Sequence, residues 1–380
     1  MAGNPFTYDR PLPPAELVDR GPELERLIDL ALAGQSARLG APRRFGKTTL
    51  LGVLAEAAWE VHGMVPAVVD FSRVTSVDDV VVRVTRAYER GLERGALRGL
   101  WRSLRRRGGA GAQLGVPGVA AVSAGIGVRP EPLGLAALHE ALDLPRRVHE
   151  RTGQRCLVVL DEFQDLLTAG DGLDGVLRSH LQHHGEAASY VFAGSAPSLM
   201  RALFGDRRRP LFEQARAVDL GPLPAADLAD WIENKLDRAG RPNLAEHVDG
   251  LVAVSAGHPQ RAMLLAHLLF EQEDDPDALD RTVAAALHEA SDALEQTWRG
   301  LTSPQRRLLG AVAAGHGRPL AAAALAYTGH GKSTQQKVRD QLLADGHLHR
   351  GADGLVTFVD PLLPRWLRRG PGGGVVLPPA

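Results

Sequence analysis

Apolar positions along this chain change their spacing several times, and each change marks a new kind of element. Over residues 23–32 and 47–61 they recur every three to four positions, the period of a helix with one buried face. Short apolar runs at 36–39, 65–70, 155–160 and 190–193 are each followed by polar residues or glycine. Parallel strands buried on both faces end in this way. Alternating strands and helices predict a parallel sheet covered on both sides. Beyond about Leu220 the strand pattern stops, and 227–239, 244–255, 260–272 and 276–290 are helical in period. Three further helical stretches, 304–314, 319–326 and 333–345, precede two strand-like pieces at 347–350 and 355–359 joined across Gly351 and Gly354. Helix, helix, helix, hairpin is the order of a winged helix. The expected organisation is an α/β core over 1–220 with a Gly-rich insertion at about 96–135, a helical lid over 221–295, a winged-helix domain over 296–370 and a mobile tail over 371–380.

Composition narrows the class. With 44% hydrophobic and 23% charged residues, the chain of 380 residues is long enough for two or three domains with real cores. The formal net charge of −1 removes any global bias toward nucleic acid or anionic membrane, so such a preference must be local. One cysteine, Cys156, excludes an internal disulfide framework and fits a reducing cytoplasm. The N-terminal residues lack the apolar run of a secretory signal. The uncharged stretch 108–128 follows three arginines but consists mainly of Gly, Ala and Val with Pro117 in its middle. A Gly-rich insertion, with short strands in VAAVSAGIGV, is expected there rather than a membrane span. His183 and His184 have no partner at metal-ligand spacing along the chain, which predicts a solvated helix end.

Candidate chemistry begins between the first strand and the following helix, at Ala41, Pro42, Arg43, Arg44, Phe45, Gly46, Lys47, Thr48 and Thr49. A phosphate-binding loop needs a small residue at its start and a glycine near its end, so that backbone N–H groups can turn inward. Gly46 meets the second need. Lys47 would reach the β- and γ-phosphates of a nucleotide, and the Thr48 hydroxyl would ligate Mg²⁺. The usual first glycine is replaced by Ala41, which serves if its φ is negative. A second acidic site is expected on a neighbouring strand, where CLVVL runs into Asp161 and Glu162. Asp161 would hold the metal shell, and Glu162 would polarise an attacking water.

The blocks APRRFGKTTLL, VVLDEFQDLL, FAGSAPSLM, SAGHPQRAMLL and FVDPLLPRWLRR together resemble the archaeal ATPase family, prokaryotic proteins near the origin-recognition and STAND ATPases within or beside AAA+. The similarity runs from Val18 to about Arg369. It implies an AAA+-like P-loop fold with a helical lid and a C-terminal winged helix, bound ATP and Mg²⁺, and ATP hydrolysis. It further implies that VDRGPEL, from Val18 to Leu24, covers the adenine, that Ser195 is a sensor of the γ-phosphate or the water, and that Arg261, close to Gly257-His-Pro259, is the lid's basic contact. Where the origin-recognition relatives carry an arginine finger stands Glu213, with Arg207, Arg208, Arg209 and Arg216 as nearby substitutes.

The C-terminal region differs in charge from the whole. From Arg299 to Arg369 there are 11 basic and 4 acidic residues, a local charge of about +7. Lys332, Lys337 and Arg339, with Ser333, Thr334, Gln335 and Gln336, would place phosphate- and base-contacting groups on the third helix. Protein docking is the other use of such a domain. Three readings follow: a slow ATPase switch that presents the winged helix to DNA or a protein partner, an ATP-regulated transcription regulator, or a nucleotide-binding scaffold with little turnover. Glu162 has no purpose in the last.

Overall fold

The computed structural model describes residues 3–10, 12–13, 16–93, 134–351 and 353–369. The expected Gly-rich insertion, apart from its last residues, and the expected tail lie outside them. Five parallel strands form the central sheet: β1 (Ala37–Gly40), β2 (Val65–Asp70), β3 (Cys156–Asp161), β4 (Ala188–Gly194) and β5 (Arg216–Asp219), in the order β2-β3-β4-β1-β5. Side-chain alternation assigns each face. Val158 and Leu160 of β3 and Tyr190 and Phe192 of β4 pack into one core, while Leu157, Val159, Val191 and Ala193 pack into the other. Burial on both sides is why the runs CLVVL and YVFA read as unbroken apolar stretches.

On one face lie α1 (Gly21–Leu32) and α2 (Lys47–Glu60). The other is covered by α3 (Val77–Leu92), α4 (Gly134–Leu142), α5 (Leu144–Thr152), α6 (Leu173–Leu181) and α7 (Pro197–Gly205). The Ser76 hydroxyl caps α3, accepting from the Asp79 N–H at 3.2 Å, and Asp78 and Asp79 favour the positive end of the helix dipole. The sheet order corrects one expectation. The strand bearing Asp161 does not neighbour β1; β4 lies between them, so the end of β4 faces both the phosphate loop and the acidic pair.

The helices α8 (Ala225–Arg238), α9 (Val248–Ser255), α10 (Pro259–Phe270), α11 (Ala278–Glu289) and α12 (Ser291–Gly300) follow the sheet. Then come α13 (Ser303–Ala313), α14 (Ala322–Thr328), α15 (Lys332–Ala344), an antiparallel hairpin β6 (Leu348–Arg350) and β7 (Val356–Phe358), and α16 (Leu362–Arg369). One hydrophobic cluster runs through both groups, from Leu228 and Leu264 to Leu308, Val338 and Trp366. The Trp366 indole N–H donates to Ser291 Oγ at 3.2 Å, tying α16 back to α12. Among the described residues no helix is long and apolar enough to cross a membrane.

Candidate nucleotide site

Residues 41–46 turn the chain from β1 into α2. Ala41 is buried and keeps a negative φ, as the missing glycine requires, and its N–H donates to the Gly194 carbonyl at the end of β4. Arg44 and Gly46 adopt left-handed backbone, with φ of 68° and 82°, so the loop curls on itself before α2 starts. Lys47 is buried, and its Nζ donates to the carbonyls of Ala41 and Pro42 at 3.1 and 3.2 Å. Burial lowers the Lys47 pKa, opposed by the carboxylates of Glu162 and Asp161. Arg43, Arg44 and Thr48 are exposed, Thr49 is buried in α2, and Phe45 sits edge-on to His258 at 4.8 Å between ring centres.

At the end of β3, Asp161 Oδ1 accepts from the Glu162 N–H at 2.9 Å. Burial raises the Asp161 carboxyl above its ordinary value. Glu162 adopts φ 48°, a left-handed conformation that costs a non-glycine residue about 1–3 kcal/mol. Its Oε2 accepts from Ser195 Oγ at 2.6 Å, from the Ser195 N–H at 3.2 Å and from Gln164 Nε2 at 2.5 Å. Burial would raise the Glu162 pKa, but these donors and Lys47 outweigh it and hold the carboxyl below its ordinary value. Ser195 therefore touches Glu162 directly, a contact that the sensor assignment did not foresee. Gln164 also escaped sequence reading; its signal is only that it lies two residues beyond Glu162.

A cleft of about 760 Å³ is lined by Lys47 and Glu162, while Asp161 and Ser195 are not part of its lining. Arg43, Arg44, Gly46, Lys47, Thr48 and Thr49 form one wall, with Arg73, Glu162 and Asp165 beside them and Gln260, Arg261 and Met263 opposite. Tyr8, Asp9, Arg10 and Leu12 border another side, and no residue of Val18–Leu24, the segment expected over the adenine, is part of the lining. Arg20 of that segment is instead buried and donates to the Gly221 carbonyl at 2.7 Å, anchoring the connector to α8. Gly257 has φ 71°, and a Cβ there would lie 2.4 Å from the Leu223 carbonyl, so only glycine lets this turn close on the same connector. His258 caps α10, its Nδ1 accepting from the Arg261 N–H, and burial pushes its pKa down to about 4.

Arg261 lines the cleft, yet its guanidinium is paired with Asp360 across 99 positions of sequence, Nε to Oδ1 at 3.0 Å. Asp360 Oδ1 also accepts from the Leu362 N–H at the start of α16. Of the proposed finger residues, Arg208 pairs with Asp206, Arg209 approaches Asp174 at 3.8 Å, and Arg207, Glu213 and Arg216 are exposed on the core.

The order β2-β3-β4-β1-β5, with a phosphate loop after β1 and an acidic pair after β3, decides the architecture. This is the AAA+ P-loop fold. Among solved structures, the Walker-type ATPase of Pyrococcus abyssi matches it with a TM-score of 0.68 at 16% identity, covering 95% of this chain and 99% of that one. The ORC2 protein of Aeropyrum pernix in its ADPNP–ADP complexes matches with a TM-score of 0.58 at 16% identity, covering 94% and 93%. At such identity the likeness is one of fold, AAA+ core and C-terminal winged helix together. No protein-family model and no curated protein matches the sequence.

Proposed function

We propose that this protein is a Mg²⁺-dependent ATPase that works as a nucleotide-driven switch of its winged helix. The observation that carries the reading is the convergence of Lys47, Asp161, Glu162 and Ser195 at the ends of three parallel strands, with Lys47 and Glu162 lining one cleft. Lys47 and the N–H groups opening α2 would bind the phosphates. Thr48 and Asp161 offer a hydroxyl and a carboxylate, the hard oxygen donors that Mg²⁺ takes, and the burial that disfavours charge on Asp161 fits a nearby cation. Bound there, the ion would neutralise phosphate charge. Glu162 Oε would take a proton from the water that attacks the terminal phosphorus, as the bond from that phosphorus to the bridging oxygen of ADP breaks. Mg²⁺-dependent phosphate release from ATP by the untagged protein tests this, and absence of both binding and release would overturn it.

Two contacts support a switch. Ser198 Oγ, three residues beyond Ser195, donates to the Ala344 carbonyl of α15 at 2.7 Å, and Arg261 pairs with Asp360 ahead of α16. The first joins the segment after Ser195 to the C-terminal region, and the second joins a residue that lines the cleft to it. Arg261 is 4% exposed, so Asp360→Asn leaves a buried guanidinium without its counter-charge. The expected loss is about 2 kcal/mol, below the ~3–5 of a fully buried pair because the Asp360 side chain keeps 28% of its exposure. Saturating ATP, by engaging Arg261, should narrow the difference in melting temperature between variant and wild type. Equal stabilisation of both by ATP would exclude Arg261 from the switch. Burial opposes ionisation of Asp360 and Arg261 outweighs it, so the pair's stabilisation is present above the ordinary carboxylate range and is lost as pH falls through the depressed value.

For the presented surface, exposed Lys332, Ser333, Thr334, Gln336 and Lys337 favour contact with DNA phosphates. Two residues leave the expected face. Gln335 is fully buried, donating to the Pro319 carbonyl and accepting from the Thr328 hydroxyl, and Arg339 lies against Asp340 with 13% of its side chain exposed. In a salt series of duplex binding, replacing Lys332 and Lys337 together by alanine should flatten the logarithmic slope by about two units. Retention of no duplex at any salt would assign the surface to a protein partner.

A further inference from the structure

At the end of the sheet opposite the phosphate loop, side chains from two helical corners meet. His180, in the last turn of α6, and His184, in the turn leading to β4, face Asp143 between α4 and α5, their ligand atoms all within 4.8 Å of one another. His139 Nδ1 lies 2.8 Å from His180 Nε2. His184 is not the solvated residue expected from sequence; it is 1% exposed. Its Nδ1 lies 2.6 Å from the Tyr190 hydroxyl oxygen, which fixes the ring, while its Nε2 is buried without a hydrogen-bond partner. An unsatisfied buried ring nitrogen is costly, and native interiors rarely keep one.

We propose that His180, His184 and Asp143 form a binding site for a divalent transition ion of the zinc class. Two imidazole nitrogens and one carboxylate oxygen are the donors that Zn²⁺ takes, whereas Mg²⁺ and Ca²⁺ take oxygen alone. Tyr190 would be the outer partner that orients a ligating histidine through its second nitrogen. His180 and His184 lie four residues apart in one segment and Asp143 comes from another, with His139, four residues before Asp143, against the His180 ring. Burial holds both His180 and His184 below the ordinary imidazole pKa, His184 at about 4, which keeps the rings neutral and ready to ligate. Arg146 donates to both Asp143 oxygens, Nε to Oδ1 at 3.0 Å and a second nitrogen to Oδ2, and Arg147 approaches Oδ2 at 3.5 Å. A carboxylate has lone pairs for these donors and an ion together. The ion would pin the α4–α5 corner, which follows residues 94–133, to the turn that feeds β4. It is separate from the nucleotide site and needs no ATP.

The test uses untagged full-length protein stripped with a chelator and titrated with Zn²⁺ in the absence of nucleotide. The expected result is one ion bound per chain with a higher melting temperature, and a Co²⁺-substituted form absorbing in the visible as a low-coordinate site does. His180→Ala removes a partly exposed ligand and leaves the pair of His184 and Tyr190 in place. It should weaken Zn²⁺ at least about 100-fold, since even outer partners of ligands contribute 10–100-fold. Its metal-free melting temperature should stay near wild type. His183→Ala, an exposed neighbour, should bind as wild type does. Equal Zn²⁺ affinity in wild type and His180→Ala, or no binding by wild type, would overturn the site.

Discussion

Replacing Lys47 with alanine is expected to lower ATP affinity by roughly 100-fold or more while leaving the protein folded. Lys47 is the buried cation of the phosphate loop, 6% exposed, held by two carbonyls of its own turn. Opposite charges about 4 Å apart interact by about 4 kcal/mol at the effective dielectric of a partly buried site, which sets the scale of the loss. A second effect adds to it. Without the ammonium, Glu162 and Asp161 face the incoming phosphates unscreened, since Lys47 is the charge that both feel across the site. Stability should change little, because the two hydrogen bonds lost are offset by removal of a charge that burial already disfavours. Calorimetric titration with ATP, beside circular dichroism to verify the fold, reads both halves of the expectation. Unaltered affinity in a folded variant would remove the loop from the nucleotide site.

What could be read from the chain alone was what is encoded locally. Strands β3 and β4 are continuous apolar runs because both their faces are covered, and the phosphate loop is one contiguous segment between a strand and a helix. The edge strand β5 was not legible for the converse reason: of Arg216, Ala217, Val218 and Asp219 only Val218 is buried. Helix α3 is absent from the periodicity reading although its signal is local, a Ser76 cap followed by buried Val80, Val81, Val84 and Tyr88. The contacts that give the site its character are long-range and have no local signature. Arg261 meets Asp360, Glu162 meets Ser195, and Tyr8 reaches the cleft from the N-terminal segment, each by a path set by the whole fold. His184 shows the same limit. Its proposed metal-site partners lie four and 41 residues away, and the packing of α4 against α6 brings Asp143 to it.

Glu162→Gln is expected to leave ATP binding near wild type and to reduce turnover by roughly 100- to 10,000-fold, the span attributable to a positioned general base. Size and planarity are kept, so the strained backbone at φ 48° need not change. What is lost is a carboxylate that its surroundings hold ionised: burial opposes the charge, but Ser195, Gln164 and Lys47 outweigh it. An amide there cannot accept a proton at neutral pH. The same donors bear on what the wild type does. Oε2 is engaged at 2.6 Å by the Ser195 hydroxyl and at 2.5 Å by Gln164, so a water must either use the other oxygen or displace Ser195. The sign of the Ser195→Ala effect therefore tells which occurs. If the bond orients a productive Glu162, turnover falls; if it restrains Glu162 until nucleotide arrives, turnover rises. Neither substitution touches Lys47 or the loop carbonyls, so ADP affinity should hold in both. Single-turnover phosphate release for the two variants and their combination resolves the roles. Because the Ser195 hydroxyl acts through the carboxylate, the double variant should turn over no more slowly than Glu162→Gln alone; a further loss equal to that of Ser195→Ala by itself would place Ser195 on the phosphate instead.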